Sequence, residues 1–338
     1  MNLFQTKISK EDTVFISEVL QSGNLGYGPM VDKFQDLFQT FSNKKFNIAT
    51  NSASASAFMV FAYLKEKYGV CDVYTTSLGF ISPAWAAKHF GHNLIWVDID
   101  ENLLFSVDDY REKRRVRTER YTDGGITPVL MPVLYGGVST IPKFDTLKKD
   151  NYNEIVVVDS AHCVTPTIES DFIFFSFHPF KPVAASDGGM ISTNDTESVK
   201  FFNLYRNFGR QNSGSTYDVV SNGFKFYMNN LNAAIAITQL ARYDENLNTR
   251  KKSHILVESL NLNGRLLPHD ESSSYYFATL ICEESYVNDL YKKYPTSKHY
   301  PLIHKTSLMY SDEVLPNTEK LHKLILNLPL YDENIYHS

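Results

Sequence analysis

The chain has 338 residues, with 33 Lys and Arg against 38 Asp and Glu, a formal net charge of −5 and 43% hydrophobic residues. This balance argues against a general binder of nucleic acid, because binding to a phosphate backbone needs a basic surplus. It also argues against disorder, which requires low hydrophobicity together with high net charge. At roughly 150 residues per domain, the length predicts two domains.

The N-terminal residues and the cysteines set the expected compartment. The start, MNLFQTKISKED, lacks the apolar stretch of a signal peptide, and no run approaches the ~18 apolar residues of a membrane span. Cys71, Cys163 and Cys282 are scattered, without CxxC or Cys/His ligand spacing. A disulfide framework and a structural zinc site are therefore not expected. We expect a cytoplasmic protein with no metal and no membrane partner.

In chain order, helical patterns come first and strand patterns follow. Residues 11–41 have helical character, interrupted at residues 23–29 by a turn-rich segment that cannot lie inside a helix. Strand-like apolar runs then alternate with longer amphipathic stretches; they are residues 74–78, 93–98, 129–134, 155–159 and 172–177. Continuous Val, Ile and Phe predict strands covered on both faces, as in a mostly parallel α/β sheet.

The last third of the chain has weaker patterns. Residues 231–247 predict one long helix, entered through Asn229 and Asn230, whose side chains can cap its free N–H groups. After about residue 250, strands and helices alternate, and residues 275–281 are the best strand candidate. We therefore predict a large domain over residues 1–240 and a smaller α+β domain over residues 241–338.

Residues 111–120 form a run with six basic residues and two glutamates. We interpret the run as a solvated helix or loop face, because it is short and isolated. An anion site or a partner site is the alternative.

The segment 156–193 carries the functional prediction. Asp159 ends a strand-like run, and ligands of open parallel sheets collect at the carboxyl ends of strands. Lys181 lies in an apolar and aromatic stretch, where a lysine is costly unless it is paired or used covalently. Pro182 follows it and favours an extended backbone at the lysine. A lysine for a Schiff base and a carboxylate for a pyridine nitrogen are what pyridoxal phosphate requires.

The same cofactor needs a phosphate site and a flat side chain over its ring. Residues 50–55 are small and precede a helical stretch at 58–67, so backbone N–H groups and the Ser54 hydroxyl can form an anion cradle. Ser176 precedes Lys181 on the same strand-to-turn passage and offers a second hydroxyl, and Phe80 can cover the ring. Each signal is weak by itself. Their order along the chain is what predicts a pyridoxal phosphate site.

This order resembles that of the DegT/DnrJ/StrS sugar aminotransferases, a branch of the aspartate-aminotransferase fold that acts on nucleotide-linked keto sugars. The resemblance covers nearly the whole chain. Its most specific element is the stretch 176–181, Ser-Phe-His-Pro-Phe-Lys, with Asp-Gly-Gly at 187–189, which matches the family's Ser-Phe-His-x-x-Lys and Glu-Gly-Gly signature. Further matches lie at residues 22–29, 50–54, 77–80, 159–162, 205–210, 223–235, 299–301 and 328–330.

The resemblance implies an aspartate-aminotransferase-like fold (fold type I) that binds pyridoxal 5'-phosphate. Lys181 would bind the cofactor covalently and shuttle the substrate proton, and Asp159 would pair with the pyridine nitrogen. The remaining cofactor residues that it implies are Ser54, Ala55, Phe80, His162, Ser176 and Lys225. The last of these would reach the phosphate from the neighbouring subunit of a homodimer. The substrate residues that it implies are Tyr27, Arg206, Tyr300 and His304.

The implied reaction moves an amino group from L-glutamate to a keto group, at C-3 or C-4, of a nucleotide-linked sugar, for an amino sugar of a surface polysaccharide or secondary metabolite. Ala53, Asp187 and Tyr227 depart from the family pattern, so a catalytically silent homologue that binds cofactor or sugar nucleotide is an alternative. A dehydratase of the same family is another, against which Lys181 argues. A nicotinamide dehydrogenase is poorly supported, because no GxGxxG opens a strand–helix unit.

Overall fold

The computed structural model describes residues 6–120, 126–150, 154–213 and 215–336. The helices are α1 (Lys10–Gln21), α2 (Pro29–Ser42), α3 (Ala53–Tyr68), α4 (Ile81–His89), α5 (Val107–Arg120), α6 (Thr196–Tyr205), α7 (Asn230–Ala241), α8 (Tyr243–Ser259), α9 (Glu284–Lys293) and α10 (Pro316–Leu324). The strands are β1 (Phe46–Thr50), β2 (Cys71–Thr76), β3 (Asn93–Val97), β4 (Thr127–Met131), β5 (Ile155–Asp159), β6 (Phe172–Ser176), β7 (Gly189–Thr193), β8 (Arg210–Ser213), β9 (Thr216–Val219), β10 (Arg265–Leu266), β11 (Phe277–Ile281) and β12 (Ile325–Pro329).

The main sheet has seven strands in the order β1-β7-β6-β5-β4-β2-β3. The pairs among β2 to β6 are parallel, whereas β7 runs antiparallel to both of its neighbours, β1 and β6. The predicted α/β fold with a mostly parallel sheet is confirmed. A three-stranded antiparallel sheet, β10-β11-β12, and the β8–β9 hairpin complete the strands.

Helices cover both faces of the main sheet, which explains the continuous apolar runs of its strands. Along β6, Ile173 and Phe175 belong to one core cluster, and Phe172 and Phe174 belong to a second cluster on the opposite face. Side chains alternate between the two faces of a strand, so both sets must be apolar when both faces are buried. The first cluster also takes in residues of α2 and α7, and the second takes in residues of α3 and α6.

Local signals set several helix ends. Ser9 and Asp12 form a capping box at the start of α1, and Asn229 caps α7 by accepting a hydrogen bond from the Asn232 N–H. The single helix predicted over residues 231–247 is wrong, because the chain breaks it at Arg242 into α7 and α8. The backbone at Arg242 has φ −108° and ψ 14°, outside the helical range, so one helix ends there and the next begins.

The predicted boundary between residues 240 and 241 falls at the end of α7, after the large sheet and before the small one. Side chains from both sides of it, including Ala233, Tyr276 and Phe277, belong to one core cluster. The division into two domains stays a prediction.

The basic run forms α5 after its first turn, and acidic partners neutralise much of its charge. Arg115 pairs with Glu112 and Glu119 in the solvent, whereas Arg117 pairs with the buried Asp72. These pairs favour the solvated-face interpretation over an anion site.

Candidate active site

A cavity of about 400 Å³ opens at the carboxyl ends of the central parallel strands. Its walls include Asp159, the last residue of β5, and Ser176, the last residue of β6. This is the edge of an open parallel sheet at which ligands bind. The predicted site residues that line the cavity are Ser54, Phe80, Asp159, His162, Ser176, Lys181 and Tyr300.

Lys181 lies in the connection between β6 and β7. These strands pair as an antiparallel hairpin in which Ser176 faces Gly189. The Lys181 N–H donates to the carbonyl of His178 at 2.9 Å, so the lysine closes a tight turn just beyond the strand. Thr6 ties this turn to the N-terminal segment, because its hydroxyl donates to the carbonyl of Pro179 at 2.5 Å. The ε-amino group thereby enters the cavity from a loop that is fixed at both strand ends.

Asp159 and Lys181 are both shifted toward their neutral forms. Asp159 is 4% exposed. Burial raises the pKa of Asp159 to about 6, against the lowering effects of the Ala161 N–H and of Lys181. Burial lowers the pKa of Lys181 to about 7, and the carboxylate of Asp159 opposes this change. An amine with a pKa near neutrality can take up and release a proton at physiological pH.

The N-terminus of α3 forms one end of the cavity. Ser52 caps the helix by accepting a hydrogen bond from the Ala55 N–H at 3.1 Å, and Ser52, Ala53 and Ser54 all line the cavity. The Ser54 hydroxyl donates to the Ser82 hydroxyl at 2.9 Å. Free N–H groups and the helix dipole make such an end favourable for an anion.

Gly189 allows this end of the cavity to form. A Cβ atom at Gly189 would lie 2.4 Å from the carbonyl carbon of Ser52 and 2.6 Å from the nitrogen of Ala53. Because these are backbone atoms, they cannot swing aside as a flexible side chain would. The second glycine of the Gly-Gly turn is therefore required for the close approach of β7 to the start of α3.

His162 lies deep in the cavity wall with one ring nitrogen bonded and one free. Its Nε2 is 2.9 Å from the Tyr300 hydroxyl, and its ring stacks on that of Tyr300 with centroids 5.9 Å apart. Its Nδ1 is buried, and no hydrogen-bond partner exists for it among the described residues. Burial lowers the pKa of His162 well below its usual value, and Lys181 and His299 lower it further, so the ring is neutral.

Phe80 lies at the mouth of the cavity, where 54% of it is exposed. It immediately precedes α4 with an extended backbone, and its ring centroid is 5.9 Å from that of Tyr300. This position leaves the face of the ring available to a flat ligand.

Five predicted site residues lie outside the cavity lining: Ala55, Lys225, Tyr27, Arg206 and His304. Ala55 lies in the first turn of α3, where its N–H is taken by Ser52. Lys225 is exposed and belongs to the segment that bridges to Asn207. Tyr27 donates to Asp32 at 2.7 Å. The predicted roles of these residues stay predictions.

Arg206 and His304 have buried structural contacts instead of cavity positions. Arg206 is 6% exposed and donates to the carbonyl of Ala49 at 2.7 Å and to the Gln35 side chain at 2.9 Å. His304 is fully buried, and its Nδ1 is 2.5 Å from the Ser77 hydroxyl. Their predicted contacts with the substrate likewise stay predictions.

The cavity lining also includes residues that the sequence did not single out as site residues, among them Ser82, His178, Phe180, Asp187, Tyr276 and His299. Three of them lie inside the signature around Lys181, and His299 precedes the predicted Tyr300. Proximity to those motifs was an available signal. Tyr276 had none, because the strand pattern around it predicts only burial.

These groups fit a phosphorylated pyridine aldehyde. The ε-amino group of Lys181 has no hydrogen bond or ion pair with another described residue, and Nδ1 of His162 also lacks a partner. A buried acid, Asp159, lines the same cavity, whose far end is the start of α3 with the Ser54 and Ser176 hydroxyls nearby. An amine, an acid and an anion cradle are the donor set that pyridoxal phosphate requires.

The family model that describes the DegT/DnrJ/EryC1/StrS aminotransferases matches residues 6–334. The chain belongs to this family. It is an aminotransferase, and its cofactor is pyridoxal 5'-phosphate. The predicted family, fold and cofactor are thereby confirmed.

Individual relatives agree with this assignment. The spore coat polysaccharide biosynthesis protein SpsC of Bacillus subtilis is 29% identical over 362 aligned positions, which cover 96% of this chain and 90% of SpsC. PseC of Helicobacter pylori, an aminotransferase involved in the biosynthesis of pseudoaminic acid, superposes with a TM-score of 0.87 at 20% identity, covering 99% of this chain and 96% of PseC. The sugar aminotransferase CalS13 of Micromonospora echinospora gives a TM-score of 0.81 at 19% identity, covering 97% and 94%.

Within residues 6–120, 126–150, 154–213 and 215–336, no helix combines the length and the apolar character that crossing a membrane requires.

Proposed function

We propose that this aminotransferase moves an amino group from L-glutamate to a keto group, at C-3 or C-4, of a nucleotide-diphospho-keto-deoxysugar. The observation that carries the proposal is one cavity that contains the buried acid Asp159, the amine of Lys181 and the N-terminus of α3. The names of SpsC and PseC, which refer to a polysaccharide and to a sugar acid, support a sugar substrate and a role in polysaccharide biosynthesis.

Pyridoxal phosphate, when bound, supplies an electron sink that makes the substrate carbon acidic. The chain's own residues then have separate tasks. Asp159 would hold a proton on the pyridine nitrogen, because a buried carboxylate favours a positive charge on a ring bound in the same cavity. Lys181 takes the proton from the substrate carbon and returns it, a task suited to an amine with a pKa of about 7.

The remaining cofactor residues bind and orient. The Ser54 and Ser176 hydroxyls and the N–H groups at the start of α3 hold the phosphate. The unpartnered Nδ1 of His162 supplies a polar contact in the depth of the cavity. Phe80 covers the outer face of the ring. Tyr300, which is bonded to His162, is the predicted substrate residue that already lines the cavity.

We further propose a homodimer in which Lys225 of one protomer reaches the phosphate site of the other. Lys225 is exposed and lies outside the cavity lining of its own chain, as the proposal requires. The exposed strand β9 and the exposed Phe80 supply surface that a second protomer could cover.

A cytoplasmic location is part of the proposal. Cys71, Cys163 and Cys282 are all buried and free, a pattern typical of proteins that remain in a reducing compartment.

A panel of nucleotide-linked keto sugars incubated with L-glutamate tests the substrate class. Product mass reports whether nitrogen is transferred, and NMR reports which carbon carries it. The proposal expects one sugar with a keto group at C-3 or C-4 to be aminated by the wild type and not by Lys181→Ala. Amination only of keto acids, with no sugar accepted, would contradict it.

A further inference from the structure

The ring of Tyr276 lies beside the amine of Lys181, and the proposed mechanism has given Tyr276 no role. The ε-amino nitrogen lies 4.6 Å from the centroid of the Tyr276 ring. A cation within about 6 Å of an aromatic face is attracted by the negative charge of that face. Tyr276 is 1% exposed and lines the cavity, so water screens this attraction little.

Tyr276 is held in place from two sides. Its N–H donates to the carbonyl of Gly136 at 3.0 Å. A guanidinium nitrogen of Arg250, on α8, donates to the carbonyls of Tyr275 and Tyr276 at 3.3 and 3.2 Å. A Cβ atom at Gly137 would lie 2.8 Å from the Tyr276 nitrogen, so only glycine permits this approach. The backbone of Tyr276 is therefore fixed, and its ring packs against the ring of His162 with centroids 4.4 Å apart.

The other groups around Lys181 leave the Tyr276 ring as a contact that can hold the charged amine. The titratable groups that line the cavity together with the lysine are Asp159 on β5, His162 after it, His178 and Asp187 in the β6–β7 connection, and Tyr276, His299 and Tyr300 from the C-terminal part. On its other side, Lys181 lines a smaller cavity with Lys7, Arg250 and Tyr331. Burial lowers the pKa of each of the three histidines, so they are neutral at pH 7 and neither attract nor repel the ammonium as charged groups. Asp159 attracts the amine, but no described residue accepts a hydrogen bond from the Lys181 amine.

We propose that Tyr276 is a positioning residue for Lys181, whose ammonium group rests on the face of the Tyr276 ring whenever the amine is not bound to the cofactor. The inference rests on the proposed role of Lys181. A free lysine side chain has four rotatable bonds and would otherwise sample many positions. The ring keeps the nitrogen at the cavity wall, from which it can take up the substrate proton and rebind the cofactor.

The contact predicts a direction for the pKa of Lys181. The ring face stabilises the charged amine and not the neutral one, so removal of the ring should lower this pKa. A cation–π contact of ordinary strength predicts a fall of about 0.5 to 1 for Tyr276→Leu. Tyr276→Phe keeps the ring and should leave the value unchanged.

Competitive labelling of the full-length, cofactor-free protein measures this pKa. The rate at which an amine-selective acylating reagent modifies Lys181 is followed by mass spectrometry from about pH 5 to about pH 10, a range that brackets the value. Phe277→Leu is the matched control, because Phe277 is the next residue, is buried like Tyr276 and packs against His162, whereas the ring over which the amine lies is that of Tyr276. It should leave the pKa of Lys181 unchanged.

Two outcomes would overturn the inference: Tyr276→Leu titrating as the wild type does, or Phe277→Leu lowering the pKa as much. If Tyr276→Leu fails to fold, pentafluorophenylalanine at position 276 replaces it, since this ring keeps the shape of Phe and loses the negative face. It must lower the pKa relative to Tyr276→Phe. A wild-type protein that develops no visible absorption with pyridoxal phosphate would refute the proposed function separately, while the labelling comparison would still decide whether the ring holds the amine.

Discussion

Replacing Lys181 with methionine should stabilise the cofactor-free protein near neutral pH, although it removes the proposed catalytic amine. Burial lowers the pKa of Lys181 from 10.5 to about 7, so holding the charged amine in the cavity costs free energy. Methionine has an unbranched stem of similar length and no charge. Function, not stability, would then explain why a lysine occupies this position.

The size of the effect follows from the pKa of the folded and unfolded chain. The cost is full below about pH 7, where the lysine is protonated in both states, and it vanishes above pH 10.5, where it is neutral in both. The difference between 10.5 and about 7 corresponds to a maximum of about 5 kcal/mol. Raising the pH from about 6 to about 9 should recover roughly 2.5 kcal/mol of this cost.

Urea unfolding of the full-length wild type and of Lys181→Met, both without cofactor, measures the effect at these two pH values. Comparing the two proteins cancels the groups that titrate equally in both. The advantage of Lys181→Met should shrink as the pH rises. In an Asp159→Asn background it should grow, because the lysine then loses its attracting carboxylate. The exposed Lys292→Met is the control and should be indifferent to pH. If the free energies of unfolding of the wild type and of Lys181→Met differ equally at both pH values, the lowered pKa of a buried Lys181 is refuted.

Three further predictions concern the frame around the site. Arg117→Ala should lower the free energy of unfolding by about 1 to 3 kcal/mol, because it leaves the carboxylate of Asp72, 2% exposed, without its cation. Arg115→Ala is the control: its partners are in solvent, so it should leave urea unfolding unchanged. Equal effects of the two substitutions would contradict the importance of burial. Gly189→Ala should weaken binding of pyridoxal phosphate by about 10-fold to 100-fold in an absorbance titration, because its Cβ meets backbone at the start of α3. Gly26→Ala is the control, because the space around Gly26 is open. Asp159→Asn should keep cofactor uptake but slow conversion by L-glutamate at least about 100-fold, and a wild-type rate in a stopped-flow measurement would count against the acid's role.

Most of the main sheet follows from local sequence pattern. The runs at 155–159 and 172–177 contain Val, Ile and Phe at consecutive positions, and they became β5 and β6, which are buried on both faces. The break at Arg242 could not be predicted in the same way. The stretch around it has continuous helical character, whereas in the structure α8 packs against residues Glu333–Tyr336, which are far along the chain.

The central part of the candidate site was predictable because its residues come from short motifs at strand ends. Asp159, Ser176 and Lys181 meet because parallel strands bring their carboxyl ends to one edge of the sheet. Tyr276 and His299 reach the same cavity from far along the chain. No local pattern reports where the C-terminal part will pack, so the contact of Tyr276 with the lysine became visible only in three dimensions.

Two of the predicted substrate residues mark the limit of motif matching. Arg206 lies in a stretch that matches the family and His304 follows another, and both are buried and bonded within the chain, so their contacts with the substrate stay predictions. A motif specifies a residue type at a position. It does not specify whether that side chain faces the ligand or supports the wall behind it.

The most direct test of the central claim is to trap the bond between enzyme and cofactor. The holoenzyme is treated with borohydride, digested, and mapped by mass spectrometry. We predict that the peptide containing Lys181 gains the mass of the reduced cofactor and that no other lysine does. A cofactor that binds but labels a different lysine, or none, would contradict it.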